Sequence, residues 1–252
     1  MTTLLFARHG QASFGQENYD QLSDLGSKQA QLLGTQYAGL QRQIDGLMTG
    51  TLSRQRDSAK YFLQGYQAGL ENLQQANDDS NFKNLAQPQV LAGLNEFNHE
   101  DIFIKSNPKF ATQAGVMAEV TKSPEPMKRL AELFYESMQR WHSGDFDEDY
   151  LESWPAFNAR VQQTLQEIIA LTQGFDAPKT LLIFTSGGVI AALTAALLGD
   201  GKPNSQAAYR VTPSLVNTGV TSISLKEGKP RLLSLNEHTH LYTAGERYLT
   251  WH

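Results

Sequence analysis

TTLLFARHGQ, residues 2–11 of the chain, passes from an apolar run directly into two basic side chains and a glycine. A short apolar run bounded by a turn signal is typical of a buried strand. Arg8 and His9 would then stand at the carboxyl end of that strand. Because ligands of open α/β sheets bind at this edge, the stretch predicts a first strand that presents two reactive side chains to a ligand.

Strand-like and helix-like periods alternate along the rest of the chain, which is the pattern of an α/β fold with a mainly parallel sheet. We therefore expect three layers, with a central sheet flanked by helices. Further strands are predicted over residues 44–48, 89–91 and 180–185, a C-terminal hairpin around 226–228, and an exposed connection over 72–87. Helices are predicted over 23–38, from Thr49 or Thr51, over 127–141, from a start marked by Ser153 and Pro155 to Leu171, and from the glycine pair at 187–188 to Gly199.

No internal repeat or linker divides the sequence, so we expect residues 1–252 to form a single domain. Residues of about 97–152 contain no strong strand pattern, and they include amphipathic helical stretches. We expect them to be a helical insertion that stands over the active crevice.

Composition excludes several classes of function. Hydrophobic residues are 40% of the chain, charged residues are 19%, and the formal net charge is -5, so no general cationic surface is predicted for nucleic acid or for a membrane. Cysteine is absent, which excludes disulfides, thiolate metal sites and a cysteine nucleophile. No stretch is long and apolar enough for a membrane span or a signal peptide, so we expect a cytoplasmic location.

Three groups of unusual residues follow predicted strands and should converge on one crevice. Arg8 and His9 follow the first strand, Arg54 opens the helix after the second, and Ser186 with Gly187 joins the TLLIFT strand to its helix. Arginine binds phosphate through two parallel hydrogen bonds, and helix N-termini direct N–H groups at anions. The sequence therefore predicts a phosphate pocket.

Five motifs follow one another along the chain. They are RHG at 8–10, LSRQRDSA at 52–59, LNEF at 94–97, FTSGGVI at 184–190 and NEHTHL at 236–241. In this order they resemble the motifs of the histidine phosphatase superfamily, which includes the phosphoglycerate mutases and related acid phosphatases. The resemblance spans nearly the whole chain, and implies one phosphoglycerate mutase-like domain.

The resemblance implies a role for each matching residue. His9 would attack phosphorus and form a phosphohistidine, while its other ring nitrogen is tied to a backbone carbonyl. Arg8 and Arg54 would hold the phosphoryl oxygens, and Ser186 and Gly187 would line the same phosphate site. Glu96 would protonate the leaving oxygen and then deprotonate the attacking water. The resemblance implies that no metal ion or other cofactor is needed, because the arginines supply the positive charge.

One position departs from the family pattern, because Ser186 stands where the family places a second histidine. A serine hydroxyl donates a hydrogen bond but carries no charge, and losing one charge-assisted bond costs about 1.5–3 kcal/mol. The sequence therefore predicts reduced activity. His99, or a water molecule, is a candidate to compensate for the missing imidazolium.

We interpret the chain as a phosphatase of a small phosphorylated metabolite or a phosphoprotein. Mutase-type phosphoryl transfer is the alternative within the family, and it would need further cations for a second phosphate. Candidates for these cations are Lys105, Lys109, Lys122, Lys128 and Arg129. A catalytically weak phosphate-binding or regulatory module is the alternative outside enzymes. The substrate and the oligomeric state stay open.

Overall fold

The computed structural model describes residues 1–13, 20–73, 85–199 and 201–251. Its strands are β1 (Thr2–Arg8), β2 (Gly46–Thr49), β3 (Gln89–Val90), β4 (Thr180–Thr185), β5 (Val220–Lys226) and β6 (Lys229–Glu237). Its helices are α1 (Asp24–Gly39), α2 (Ser53–Asn72), α3 (His99–Ser106), α4 (Gln113–Val120), α5 (Pro126–Ser143), α6 (Trp154–Thr172), α7 (Gly187–Leu198), α8 (Ser205–Val211) and α9 (Thr239–Ala244).

The strands form one mixed sheet in the order β3-β2-β4-β1-β5-β6. The first four strands in this order are parallel to one another, and β5 runs antiparallel to both of its neighbours. The register of the central pair runs from Thr3 opposite Thr180 to Arg8 opposite Thr185. The predicted α/β architecture with a mainly parallel sheet is thus confirmed, and the predicted C-terminal hairpin is the β5–β6 pair at one edge.

The centre of the sheet is buried because its strands carry apolar residues on both faces. Four consecutive residues of β1, Leu4 to Ala7, are buried, and so are five of the six residues of β4. This is the pattern expected for central parallel strands that are covered by helices on both sides. Helix α7 is apolar all round and is likewise buried through most of its length.

The predicted start is correct for α1 and wrong for α2. Ser23 caps α1 as expected, since its side chain accepts a hydrogen bond from the backbone N–H of Gly26. Helix α2, however, begins at Ser53 and not at Thr49 or Thr51. Thr49 is instead the last residue of β2 and pairs with Phe184, and the backbone N–H of Thr51 donates to Asn95 Oδ1.

The chain divides into two compact units, residues 1–96 with 161–252, and residues 97–160. The second unit is helical, and its small core contains Phe110, Val120 and Leu133. The insertion predicted over about 97–152 lies within this unit. A single domain, and a place for the insertion over the crevice, stay predictions.

Two further sequence predictions concern connections and membranes. Of the exposed connection predicted over 72–87, residues 74–84 lie outside the described part of the chain. Within the described ranges, no helix has the length and apolar character to cross a bilayer. The cytoplasmic location stays a prediction.

Candidate active site

The predicted site residues meet at the carboxyl ends of the parallel strands. His9 follows β1 directly, and its backbone N–H donates to the carbonyl oxygen of Thr185, the last residue of β4, at 2.9 Å. Arg54 lies in the first turn of α2, and Ser186 is the N-cap of α7. The strand order therefore brings together His9 and Ser186, which are 177 positions apart in the chain.

The His9 ring is buried and is held through both of its nitrogens. Its side chain is 5% exposed, Nδ1 lies 2.7 Å from the carbonyl oxygen of Gly10, and Arg54 Nε donates to Nε2 at 3.1 Å. A carbonyl oxygen only accepts, so Nδ1 carries the proton and Nε2 presents its lone pair. The geometry thus fixes a neutral imidazole whose Nε2 is the basic atom.

Gly10 allows the chain after β1 to approach two helices closely. A side chain here would place its Cβ 2.3 Å from the carbonyl oxygen of Gly26 in α1. The backbone N–H of Gly10 donates to Ser58 Oγ at 2.9 Å, and Ser58 Oγ donates to the carbonyl oxygen of Arg54 at 2.7 Å. Ser58 therefore joins the turn after His9 to the helix that carries Arg54.

Arg54 is fixed by an acid that the sequence analysis did not single out. Its side chain is buried, and Nη1 forms an ion pair with Asp20 Oδ1 at 2.8 Å. Asp20 Oδ2 accepts from the backbone N–H of Ser53 at 2.7 Å, in the first turn of α2. One carboxylate thus contacts both the Arg54 guanidinium and a helix N-terminus, which are the two kinds of group that favour an anion.

Arg8 is anchored by backbone carbonyl groups from the C-terminal part of the chain. Its Nη1 donates to the carbonyl oxygens of Leu215 at 2.6 Å and Trp251 at 3.0 Å. A Cβ built at Gly187 would lie 3.6 Å from Arg8 Nε, so this edge of the guanidinium lies beside the start of α7. The structure therefore brings Arg8 and Gly187 together, as the sequence predicted.

Glu96 lies at the same helix start. Its Oε2 accepts a hydrogen bond from the backbone N–H of Gly188 at 3.0 Å. The loop before it is held by the carbonyl oxygen of Leu94, which accepts from Thr185 Oγ1 at 2.6 Å and from Gln55 Nε2 at 2.9 Å. The acid that was predicted to transfer a proton thus lies at the N-terminus of α7, the helix whose N-cap is Ser186.

Ser186 is fully buried and hydrogen-bonded to a neighbour that the sequence analysis also missed. Its Oγ accepts from Gln55 Nε2 at 2.9 Å, and its side chain does not cap α7. Gln55 directly follows Arg54 in the sequence and is itself fully buried. Successive helical residues differ by about 100° in direction, so Arg54 and Gln55 contact different parts of the site.

A polar network contacts the backbone of Arg8 and His9. Asn217 Nδ2 donates to the carbonyl oxygen of His9 at 3.2 Å, and the backbone N–H of Thr218 donates to that of Arg8 at 3.1 Å. Thr218 has a φ of 59°, which is strained for a β-branched residue. Its hydroxyl lies 2.8 Å from Nε2 of His240, and burial lowers the pKa of His240 from 6.5 to about 3.

His99, the residue proposed to replace the second histidine, lies in the other unit of the chain. It begins α3, and its ring contacts those of Phe97 and Phe134. Its role therefore stays a prediction. In the part of the chain that the structure describes, no group of three or more His, Cys, Asp or Glu side chains is arranged to hold a metal ion.

Some of the missed residues had a signal in the sequence. Ser58 lies within the motif LSRQRDSA that led to Arg54, four residues further along the helix. Gln55 lies in the same motif, at a position where spacing alone gives no reason for a buried amide. Asp20 and Asn217 lack such a signal, because they reach the site only through the tertiary fold.

Comparisons with known proteins support the same family. Residues 118–238 match the model of the family described as histidine phosphatase superfamily, branch 1. This range includes Ser186 and Gly187, and begins after His9, Arg54 and Glu96 in the sequence. The chain has the histidine phosphatase fold. The resemblance stated from the motifs is thus confirmed, whereas the assignment to a branch with serine for the second histidine stays a proposal.

Solved structures with this histidine phosphatase fold are similar over almost their full length. They include phosphoserine phosphatase from Entamoeba histolytica in complex with 3-phosphoglyceric acid, at 20% identity and a TM-score of 0.58, covering 96% of this chain and 100% of that one. Alpha-ribazole phosphatase from Shigella flexneri has 16% identity and a TM-score of 0.57, covering 94% and 97%. A mycobacterial glucosyl-3-phosphoglycerate phosphatase has 23% identity and a TM-score of 0.55, covering 94% and 99%. No curated protein sequence matches the chain.

Proposed function

We propose that the chain is a phosphomonoester hydrolase that acts on a small phosphorylated metabolite or a phosphoprotein through a phosphohistidine at His9. The family match and the phosphatase names of the structural neighbours support the reaction class. The observation that carries the proposal is the His9 ring, which keeps its proton on Nδ1 and presents Nε2 beside an arginine.

The proposed reaction has two steps at phosphorus. In the first, the Nε2 lone pair of His9 forms the N–P bond, the bond from phosphorus to the ester oxygen breaks, and Glu96 gives its proton to that oxygen. In the second, Glu96 takes a proton from water, the water oxygen bonds to phosphorus, and the N–P bond breaks. Arg8 and Arg54 stabilise the charge on the phosphoryl oxygens in both steps.

Charge favours hydrolysis over mutase-type transfer. Asp20 already neutralises part of the Arg54 charge, and a mutase must hold a second phosphate as well. Four of the five cations considered for that task are paired with carboxylates of their own unit, since Lys109 and Lys122 contact Glu119, Lys128 contacts Glu125, and Arg129 contacts Glu132 and Glu136.

A phosphate-binding module with little turnover is the second candidate. Ser186 favours it, because a neutral hydroxyl stabilises developing charge less than an imidazolium does. Phosphate binding and turnover make different demands. Binding needs the arginines and the start of α7, whereas turnover also needs the Nε2 lone pair of His9 and the proton of Glu96.

Steady-state kinetics with p-nitrophenyl phosphate, phosphoserine and a panel of sugar phosphates tests the proposal. The wild type is compared with His9→Ala and Glu96→Gln, purified in the same way so that contaminating phosphatases are subtracted. We expect turnover in the wild type, none above background in His9→Ala, and a fall of at least tenfold in kcat for Glu96→Gln.

Binding of inorganic vanadate, followed by the melting temperature, separates the two candidates. If no ester is hydrolysed while vanadate raises the melting temperature, the binding module is favoured and the hydrolase proposal is wrong. Phosphatase activity that is equal in the wild type and His9→Ala would also contradict the proposal.

A further inference from the structure

The buried amide of Gln55 lies where two parts of the candidate active site meet. Its Nε2 donates to the carbonyl oxygen of Leu94 at 2.9 Å and to Ser186 Oγ at 2.9 Å. Leu94 belongs to the loop that leads to Glu96, and Ser186 is the N-cap of α7. One side chain on α2 thus contacts both elements that flank the phosphate site.

The hydrogen-bond partners determine which way this amide is turned. A carbonyl oxygen only accepts, so the atom that faces Leu94 must be the NH2 group and not the amide oxygen. The second hydrogen of the same group then donates to Ser186. The amide oxygen is buried and has no hydrogen-bond partner among the residues that the structure describes.

This orientation also sets the role of the Ser186 hydroxyl. Because Gln55 donates to its oxygen, the single hydroxyl hydrogen must be directed at another acceptor. The Ser186 backbone directly follows Thr185, whose carbonyl oxygen accepts from the N–H of His9 at 2.9 Å. Gln55 therefore holds Ser186 as a hydrogen-bond donor beside the end of the strand that carries the nucleophile.

The same amide fixes the loop that carries the acid. The carbonyl oxygen of Leu94 accepts from Gln55 and from Thr185 Oγ1, and two residues later Glu96 accepts from the backbone N–H of Gly188. The loop is thus held at both ends by groups that are themselves buried or in the α7 backbone. Loss of the Gln55 bond would release one of these contacts.

We propose that Gln55 is a positioning residue that orients the Ser186 hydroxyl toward the transferring phosphoryl group and holds the Glu96 loop in place for proton transfer. The inference rests on the proposed phosphatase function and deepens it, because it explains how a site with serine in place of the second histidine is organised. Gln55 acts through Ser186 and Glu96, so its effect belongs to the transition state and not to substrate binding.

The test compares Gln55→Met, which has a similar length but no amide, with Gln64→Met on the exposed side of the same helix. The substrates are two aryl phosphates, p-nitrophenyl phosphate with a good leaving group and phenyl phosphate with a poor one. Only the poor leaving group depends strongly on a proton from Glu96. A merely structural effect of the substitution would lower both rates alike.

For Gln55→Met we expect kcat to fall roughly tenfold or more on phenyl phosphate, which corresponds to about one ordinary hydrogen bond. The fall on p-nitrophenyl phosphate should be several times smaller, KM should change less than threefold, and Gln64→Met should match the wild type. Gln55→Glu serves as a second variant that keeps the shape. Its carboxylate repels the Leu94 carbonyl, so its activity relative to the wild type should rise as pH falls and the carboxylate is protonated.

The outcomes separate this inference from the proposed function. If the wild type hydrolyses both esters and Gln55→Met loses the same factor on each, the role of Gln55 in holding the Glu96 loop is wrong. If Gln55→Met loses nothing, the whole positioning role is wrong. In both cases the phosphatase proposal stands. A relative activity of Gln55→Glu that does not change with pH would also overturn the positioning role. If wild type and His9→Ala are equally inactive, the proposed function fails and the inference fails with it.

Discussion

At the scale of single residues, the site is a set of side chains that fix one another. His9 is held by the carbonyl oxygen of Gly10 on one side and by Arg54 on the other, and Arg54 is held in turn by Asp20. The bonds from Gly10 and Asp20 limit rearrangement of the charged groups when a phosphoryl group arrives, which is how a preorganised site lowers a reaction barrier. In the proposed reaction the Arg54 bond to Nε2 is released when that lone pair attacks phosphorus. The geometry of Arg54 therefore matters as well as its charge.

Replacing Arg54 with lysine tests this point. Lysine keeps the positive charge, but its single ammonium group cannot contact both His9 Nε2 and Asp20 as the guanidinium does. We expect kcat/KM on p-nitrophenyl phosphate to fall at least about tenfold, since each lost charge-assisted bond contributes about 1.5–3 kcal/mol. Arg56→Lys, an exposed position two residues further along α2, is the control and should leave activity unchanged. Activity of Arg54→Lys within threefold of the wild type would contradict the account.

At the scale of elements, α2 carries Arg54, Gln55 and Ser58 into the site and must therefore be placed accurately. Its packing against α1 depends on glycines on both helices. A Cβ at Gly65 would lie 2.0 Å from the carbonyl oxygen of Gln31, and one at Gly34 would lie 2.1 Å from that of Phe62. The backbones of the two helices are therefore in direct contact.

Gly65→Ala should destabilise the protein although alanine is the better helix former. The extra methyl group meets backbone rather than a movable side chain, and we expect a loss of about 1–3 kcal/mol in the free energy of unfolding, as for other overpacked positions. Gly39→Ala, at the exposed end of α1 where a Cβ meets nothing within 4 Å, is the control. Urea unfolding measures both, and a Gly65→Ala protein as stable as the wild type would show that the helices do not pack this closely.

How far the sequence predicts the structure also differs between elements. The apolar runs of β1 and β4 and the cap at Ser23 are local signals, and the structure confirms these elements. The start of α2 was wrong because Thr49 is used by the sheet and Thr51 by Asn95, which are tertiary interactions. Asp20 and Gln55 were not predicted as site residues for the same reason. Nothing in their local sequence reveals that Asp20 contacts Arg54 or that Gln55 contacts Ser186.

At the scale of the whole molecule, distant parts of the chain meet around His9. Arg8 donates to the carbonyl oxygen of Trp251, and Asn217 donates to that of His9. The support extends to Thr218 and to buried His240 in α9. Because this histidine is buried in its neutral form, the stability of the fold around the site should depend on pH.

The sign of this dependence follows from the direction of the pKa shift. Burial lowers the pKa of His240 from 6.5 to about 3, so between these pH values the unfolded chain binds a proton that the folded chain does not. The contribution is fully present above pH 6.5 and is lost as pH falls toward 3, by at most about 1.4 kcal/mol per pH unit. Urea unfolding at pH 7, 6, 5 and 4 should therefore show that the free energy of unfolding falls less steeply with pH in His240→Gln than in the wild type. Parallel declines would exclude His240 as the cause.

Trapping of the covalent intermediate tests the central claim most directly, namely that His9 accepts the phosphoryl group on Nε2. The wild type and Glu96→Gln are mixed with p-nitrophenyl phosphate, quenched in alkali, and analysed by peptide mass spectrometry and ³¹P NMR. The account predicts a base-stable, acid-labile phosphate on His9. It should be on Nε2, because Nδ1 is bound to the carbonyl oxygen of Gly10, and it should be absent from His9→Ala. A phosphate on Nδ1, or turnover with no phosphohistidine in either protein, would contradict it.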